Sequence, residues 1–302
     1  MSQDADPIDR VRQRLHAVLG GWGADTSYAE MRRQWDALFK VRHQPAASER
    51  LRAGGVDATW ISAPGVRADC ALMYLHGGGY VMGSVNSHWD LIAGLSASAG
   101  CRVLALDYRL APEHPYPAAI EDAESAYRWL LEQGIPSGGI AIAGDSAGAG
   151  LAATLLLALW RSRMPMPAAA VLMSPWVDFE AAGASFDSRK EFDPLVRRRL
   201  IHETARVYLA GKVDRRDPQV ALLHADLRGL PPLLIQVGDH ETLLDDSRSL
   251  AEQAQLAGVD VTLEVWDRMI HVFQLFAEEL PESRGAIESA GAFLHRHLNR
   301  PR

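Results

Sequence analysis

Cysteine is scarce in this sequence. Cys70 and Cys101 are the only two in 302 residues, and each begins a short apolar run. Small proteins held together by disulfides carry several pairs of cysteines. We therefore expect two buried, reduced thiols and a fold that depends on its apolar core.

Excess positive charge and long apolar runs are missing as well. The formal net charge is −7, and the dense basic run at residues 197–199 (RRR) offers a phosphate backbone little to bind. The longest apolar run, residues 151–160, is much shorter than the roughly 20 residues that span a bilayer. The first residues, MSQDADP, lack the basic and apolar regions of a secretory signal. We expect a cytoplasmic protein with no nucleic-acid partner and no stable membrane insertion.

What the sequence does contain is an alternation of short apolar runs with helical patterns. The runs lie at residues 71–75, 102–106, 139–143, 169–173, 233–237 and 261–265, and the helical patterns at 117–133, 147–161 and 245–257. Continuously apolar runs are typical of strands that helices cover on both faces. The alternation predicts an α/β fold with a mostly parallel, doubly wound sheet.

Two segments depart from this alternation. Near the N-terminus, Ser27 and Glu30 form a capping-box pattern before an amphipathic helix. In the middle of the chain, a charged insertion continues after Asp193-Pro194 with a helix-like stretch from Leu195 to Leu209. We expect residues 1–50 and 185–217 to form a helical cap over a catalytic domain made of residues 51–184 and 218–302.

The run 139–143 leads directly into GDSAG at residues 144–148, and a helical pattern follows. This strand, turn and helix are the setting of a nucleophile elbow, in which flanking glycines leave room for a strained turn. The pattern predicts that Ser146 is a nucleophile whose hydroxyl projects at the start of a helix.

A serine nucleophile needs a base and an acid that orients the base. His271 fits the base, because it follows the last predicted strand on a loop near the C-terminus. The loop after residues 233–237 holds four carboxylates that compete for the acid, and spacing does not choose among them: Asp239, Glu241, Asp245 and Asp246.

A second glycine-rich turn, HGGG at residues 76–79, follows the run 71–75. Successive glycines leave backbone N–H groups open to a substrate oxygen. About 70 residues separate this turn from the elbow, an order typical of an oxyanion hole in α/β hydrolases.

With these motifs placed, the chain resembles the bacterial hormone-sensitive-lipase-like esterases, called family IV. The matching segments are HGGGY at 76–80, DYRLAPEHPYPAA at 107–119, GDSAG at 144–148 and Met269-x-His271-x-Phe273. The resemblance covers roughly residues 50–295. It implies an α/β-hydrolase sheet of about eight strands with a helical cap. It also implies hydrolysis of carboxylic esters with short to medium acyl chains, without a metal or an organic cofactor.

The same resemblance assigns roles to single residues. Gly78, Gly79 and Ala147 would donate the oxyanion N–H groups, and His76 would brace the glycine loop. The acid motif of the family, Asp-Pro-Leu-x-Asp, falls on ETLLD at residues 241–245. Glu241 then takes the place of the acid, with Asp239 as the alternative.

The sequence departs from the family at Arg268, where glycine is common. If this position requires a positive φ, arginine strains the loop that carries His271. Trp89 and Ile270 are predicted as walls of the substrate pocket, with core packing as the alternative for both.

Two other functions compete with ester hydrolysis. The same groups can open a lactone, and the family resemblance includes lactone hydrolases. A non-catalytic small-molecule receptor can also use this scaffold, although here all three triad positions are filled. The last strand, residues 261–266, is predicted at or near a sheet edge, which favours a homodimer through that edge.

Overall fold

A computed structural model describes residues 6–23 and 25–298. The strands of the described chain are β1 Ala47–Ala53, β2 Val56–Ser62, β3 Arg67–Leu75, β4 Cys101–Leu106, β5 Ile140–Asp145, β6 Ala170–Met173, β7 Leu233–Gly238 and β8 Val261–Trp266. The helices are α1 Pro7–Leu19, α2 Tyr28–Leu38, α3 Trp89–Ala99, α4 Ala118–Glu132, α5 Ala147–Arg161, α6 Ser185–Ser188, α7 Arg198–Leu209, α8 Leu244–Leu256 and α9 Pro281–Leu298.

The described strands form one sheet in the order β1-β2-β4-β3-β5-β6-β7-β8. Strand β2 pairs antiparallel with β1 and with β4, and all pairs from β4 to β8 are parallel. This confirms the predicted α/β class and the expected eight-stranded, mostly parallel sheet. β8 ends the sheet, and its Val265 is 41% exposed, so the predicted edge position is confirmed.

Each of the six predicted apolar runs lies in a strand to within one residue, but β1 and β2 were not among them. β1 has the sequence ASERLRA, and its first four residues are exposed. An edge strand that is wet on both faces lacks the apolar signal from which buried strands are recognised. This is why the antiparallel end of the sheet was missed.

The core lies on both faces of the sheet because successive side chains of a strand point to opposite sides. In β3, Met73 and Leu75 face the apolar cluster that contains α4, α5 and α8. Leu72 and Tyr74 face the cluster that contains α1, α3 and α9. Each fully buried aliphatic side chain of this kind stabilises the fold by about 1.5–3 kcal/mol.

Cys70 and Cys101 lie on the neighbouring strands β3 and β4, and both are buried free thiols. This agrees with the expectation of reduced cysteines.

The helical segments outside the alternation differ in how well the sequence located them. α2 begins after Ser27, whose hydroxyl accepts a hydrogen bond from the N–H of Glu30 at 3.2 Å, as the capping pattern predicted. α7 begins at Arg198, three residues later than the predicted helix-like stretch. The delay arises because the Asp193 carboxylate accepts hydrogen bonds from the N–H groups of Leu195 and Val196 and holds them in a turn.

Within residues 6–23 and 25–298, no helix is long and apolar enough to cross a membrane. The same residues contain no group of three or more His, Cys, Asp or Glu side chains arranged to hold a metal ion.

Candidate active site

Ser146 lies in a tight turn between β5 and α5. Its backbone has a φ of 53° and a ψ of −121°, a conformation that costs a residue other than glycine of the order of 1–3 kcal/mol. The turn closes because Gly144 and Gly148 lack side chains: a Cβ at either would collide with backbone carbonyl oxygens nearby. The N–H of Ser146 also donates to the carbonyl of Met173 at 2.8 Å. This turn places the hydroxyl at the N-terminus of α5, whose dipole favours negative charge.

The imidazole of His271 faces that hydroxyl. Its Nε2 lies 2.9 Å from the Oγ of Ser146, within hydrogen-bond distance. The loop after β8 brings the ring there, and the N–H of Val272 is tied to the hydroxyl of Ser174 at 3.1 Å. His271 is therefore placed to exchange a proton with Ser146.

The carboxylate of Glu241 holds the other side of the imidazole. Its Oε1 lies 3.0 Å from the Nδ1 of His271. Its Oε2 accepts hydrogen bonds from the Ser174 hydroxyl and from the N–H of Gly238, both at 2.8 Å. Glu241 is fully buried, so its orientation is set by protein groups and not by solvent.

Asp239, the alternative acid, has a different environment. Its carboxylate accepts a hydrogen bond from the N–H of Arg268 at 2.6 Å and is 28% exposed. Asp239 thus braces the loop that carries His271, whereas Glu241 contacts the imidazole itself.

The buried setting of His271 changes its acidity. Burial alone would lower the pKa of His271, but the hydrogen bond and the charge of Glu241 outweigh burial, and the pKa is raised above the ordinary histidine value. A raised pKa makes the imidazole a stronger base. As the pH falls, however, the ring is protonated earlier than an ordinary histidine and can then no longer accept the proton of Ser146.

The glycine loop lies beside the elbow. Gly78 and Gly79 have positive φ values of 113° and 63°, which glycine adopts without strain. His76 is buried, its ring stacks on Tyr108 with centroids 4.4 Å apart, and its Nδ1 lies 2.7 Å from the carbonyl oxygen of Gly77. These contacts fix the loop next to the start of α5, where Ala147 is fully buried.

Helix α7 of the insertion covers the glycine loop. A Cβ at Gly79 would lie 2.8 Å from the Cγ2 of Thr204. Tyr208, one turn further along α7, stacks on Tyr80 with centroids 3.7 Å apart. The insertion therefore packs directly against the predicted oxyanion donors.

The two predicted pocket walls lie in the apolar core. Trp89 is 5% exposed, donates to the carbonyl of Gln44 at 3.4 Å and carries the guanidinium of Arg42 over its ring. Ile270 is fully buried in the same apolar cluster. The observed positions favour core packing for both side chains.

Ser174 was missed by the sequence reasoning. It follows β6, has a φ of 48°, and joins Glu241 to the loop of His271 through its hydroxyl. A polar residue directly after a buried parallel strand, between the elbow strand and the strand that precedes the acid, is the signal that points to it.

Arg268 has a φ of 60°, so the position does require the left-handed region. Its guanidinium pairs with Asp6 at 2.6 Å in an exposed ion pair.

We expect the free energy of unfolding of Arg268→Gly to exceed that of Arg268→Ala by about 1 kcal/mol, because both lose the ion pair and only glycine relieves the backbone strain. Urea unfolding measures the difference. Asp6→Asn is the control for the ion pair alone, and equal stability of the two Arg268 variants would contradict the strain.

The sequence is similar to known hydrolases over most of its length. The family model for the alpha/beta hydrolase fold matches residues 72–275. An acetyl-hydrolase of Streptomyces hygroscopicus is 51% identical over 244 residues, 81% of each chain. The carboxylesterase NlhH of Mycobacterium tuberculosis is 34% identical over 237 residues, which cover 76% of this chain and 74% of that protein.

Solved structures resemble this chain over nearly its whole length. A mutant of the esterase E40 superposes with a TM-score of 0.95 at 46% identity, covering 98% of this chain and all of that one. An esterase from the bacterial hormone-sensitive lipase family gives a TM-score of 0.94 at 45% identity, covering 99% of this chain and 100% of that one. The fold, the position of the elbow and these similarities agree. The chain belongs to the bacterial hormone-sensitive lipase family of α/β-hydrolase-fold esterases.

Proposed function

We propose that the protein is a carboxylesterase that hydrolyses short- to medium-chain carboxylic esters through an acyl-enzyme on Ser146. One observation carries the proposal: a continuous hydrogen-bonded series runs from the Ser146 hydroxyl through both nitrogens of His271 to Glu241. A nucleophile, a base and an orienting acid in this order are the parts that acyl transfer needs.

In the first step, the Oγ of Ser146 attacks the ester carbonyl while its proton passes to the Nε2 of His271. The ring then carries a positive charge, which the buried carboxylate of Glu241 stabilises through the Nδ1–H. Because Ser174 and Gly238 donate to the second carboxylate oxygen, Glu241 holds the imidazole in the tautomer that leaves Nε2 free to accept.

The attack turns the carbonyl oxygen into an anion. The N–H groups of Gly78, Gly79 and Ala147 are the proposed donors to this oxygen, since the glycine loop packs against the elbow: the N–H of Gly77 donates to the Asp145 carboxylate at 2.9 Å. Preorganised donors of this kind contribute about 2.7–4 kcal/mol each to the transition state.

The alcohol departs when His271 returns its proton to the leaving oxygen. Water then attacks the acyl-enzyme with His271 again as base, and the acid product leaves with Ser146 restored. Apart from the substrate and this water, every group in the proposed steps is a side chain or backbone group of this chain.

Residues 1–50 and 185–217 are the proposed cap. Support comes from contacts that both segments make with the glycine loop and the residues after it. Thr204 and Tyr208 of α7 pack on Gly79 and Tyr80, and Arg32 of α2 donates to the carbonyl of Val81 at 2.8 Å. Bulky buried rings beside the glycine loop favour acyl groups of limited length.

Esters of p-nitrophenol with acyl chains of increasing length test the proposal. We expect kcat/KM to be highest for acetate or butyrate and to fall at least about tenfold for palmitate, because carbon atoms that the pocket does not accommodate lower transition-state binding. Equal turnover of palmitate would contradict the proposed acyl range. Binding of esters without turnover would contradict an enzymatic role, and a higher kcat/KM for γ-butyrolactone than for any open-chain ester would favour a lactone hydrolase.

A further inference from the structure

A charged cluster lies buried directly behind the elbow and the glycine loop. Asp145, the residue before Ser146, and His88, the residue before α3, are each 1% exposed. The Oδ2 of Asp145 lies 3.3 Å from the Nε2 of His88. The proposed reaction steps use neither side chain.

The Asp145 carboxylate ties the two halves of the site together. Its Oδ1 accepts hydrogen bonds from the N–H of Gly77 at 2.9 Å and from the hydroxyl of Tyr74 at 2.6 Å. Gly77 directly precedes Gly78 and Gly79. The carboxylate next to the nucleophile therefore holds the base of the loop that carries the proposed oxyanion donors.

Both ring nitrogens of His88 face acceptors. Nε2 faces the Asp145 carboxylate, and Nδ1 lies 3.1 Å from the carbonyl oxygen of Ser84 and 3.0 Å from the Oγ of Ser87. The Ser87 hydroxyl lies 3.1 Å from the same Ser84 carbonyl, to which it can also donate. A ring that donates to the Asp145 carboxylate from one nitrogen and to the Ser84 carbonyl from the other is an imidazolium.

The electrostatic balance agrees with this geometry. Burial alone would lower the pKa of His88, but the charge and hydrogen bond of Asp145 outweigh burial and raise it. For Asp145, burial would raise the pKa, but the charge and hydrogen bond of His88, together with the hydrogen bond from Tyr74, outweigh burial and lower the pKa. Burial and the charge of His88 lower the pKa of nearby His76.

We propose that His88 and Asp145 form a buried ion pair that positions the glycine loop against Ser146 and neutralises the carboxylate behind the oxyanion. This inference rests on the proposed function. An uncompensated carboxylate so close to the elbow would repel the negative charge that develops on the substrate. His88 and Asp145 are thus positioning residues, since they act through the backbone of Gly77 and through charge without touching substrate.

The variant His88→Gln keeps an amide donor towards Asp145 and removes the positive charge. We expect kcat for p-nitrophenyl butyrate to fall about 10²-fold while KM stays within about threefold, because the lost contribution acts only once the oxyanion forms. An alkyl trifluoromethyl ketone, whose adduct with Ser146 carries an anionic oxygen, should lose affinity by about the same factor as kcat. Loss of packing alone does not predict that proportionality.

The double variant His88→Gln/Asp145→Asn separates charge from packing. Asparagine keeps an oxygen that accepts from Gly77 and Tyr74 but carries no charge. We expect the double variant to recover part of the kcat lost in His88→Gln, whereas packing predicts a further loss. His297→Gln is the matched control: His297 is also buried, on the last turn of α9, and its replacement should leave kcat unchanged.

Nitrogen-15 NMR of the wild-type protein reads the charge on His88 without a variant and decides the matter if His88→Gln does not fold. Protons on both ring nitrogens at neutral pH support the inference, and a neutral ring overturns it. Wild-type kcat in folded His88→Gln also overturns it. A wild-type protein that hydrolyses no ester overturns the proposed function and this inference with it, whereas an active wild type with an equally active variant overturns only the inference.

Discussion

Ser146→Ala is expected to lose about 10⁶-fold in kcat for ester hydrolysis, the loss seen when a serine nucleophile is removed from a triad. The Oγ of Ser146 forms the bond to the acyl carbon. Among the described residues, only this hydroxyl lies within hydrogen-bond distance of the Nε2 of His271, at 2.9 Å. The remaining rate comes from binding and from the oxyanion donors.

Initial rates with p-nitrophenyl butyrate measure this loss. Ser247→Ala is the matched control, because Ser247 is fully buried on α8 and its Oγ has no hydrogen-bond partner among the described residues. We expect the control to retain the wild-type kcat. Wild-type activity in Ser146→Ala would rule out the elbow as the source of the nucleophile.

Glu241→Gln is expected to lower kcat by about 10⁴-fold, as an amide in place of the orienting acid does elsewhere. The amide cannot stabilise the imidazolium. Rotated to place its NH₂ towards His271, it also selects the tautomer whose Nε2 carries the proton. Asp239→Asn keeps an oxygen that accepts from Arg268 and is expected to change kcat by less than about fivefold.

The pH dependence of kcat/KM gives a second readout of the acid. In the wild type, Glu241 raises the pKa of His271, so activity falls as the pH drops through a value above that of an ordinary histidine. Removing the charge of Glu241 should move this acid limb to lower pH, and Asp239→Asn should leave it in place. A large loss in Asp239→Asn together with a small one in Glu241→Gln would reverse the assignment.

The sequence predicted those parts of the fold and of the site that depend on residues close together in the chain. The elbow needs glycine at residues 144 and 148 because a Cβ there would collide with the backbone, and such a demand shows directly in sequence. The parallel strands were recognisable because helices bury both their faces. The loop position of His271 after the last strand likewise followed from chain order.

The features that sequence did not provide depend on distant contacts. Spacing left four carboxylates open on one loop, and the choice depends on Ser174 and Gly238, which hold Glu241 against His271. The pairing of His88 with Asp145 joins residues 57 positions apart. Exposed β1 carried no apolar pattern. Sequence left pocket wall and core packing open for Trp89 and Ile270, and both side chains are buried in the apolar core.

The most direct test of the account is the site of acylation. The protein is mixed with p-nitrophenyl butyrate, quenched in acid within the first turnover and digested for mass spectrometry. We expect the mass of one butyryl group on the peptide that contains Ser146, and none in Ser146→Ala. A butyryl group on another residue, or first-turnover release of p-nitrophenol with no acylated peptide, would contradict the proposed mechanism.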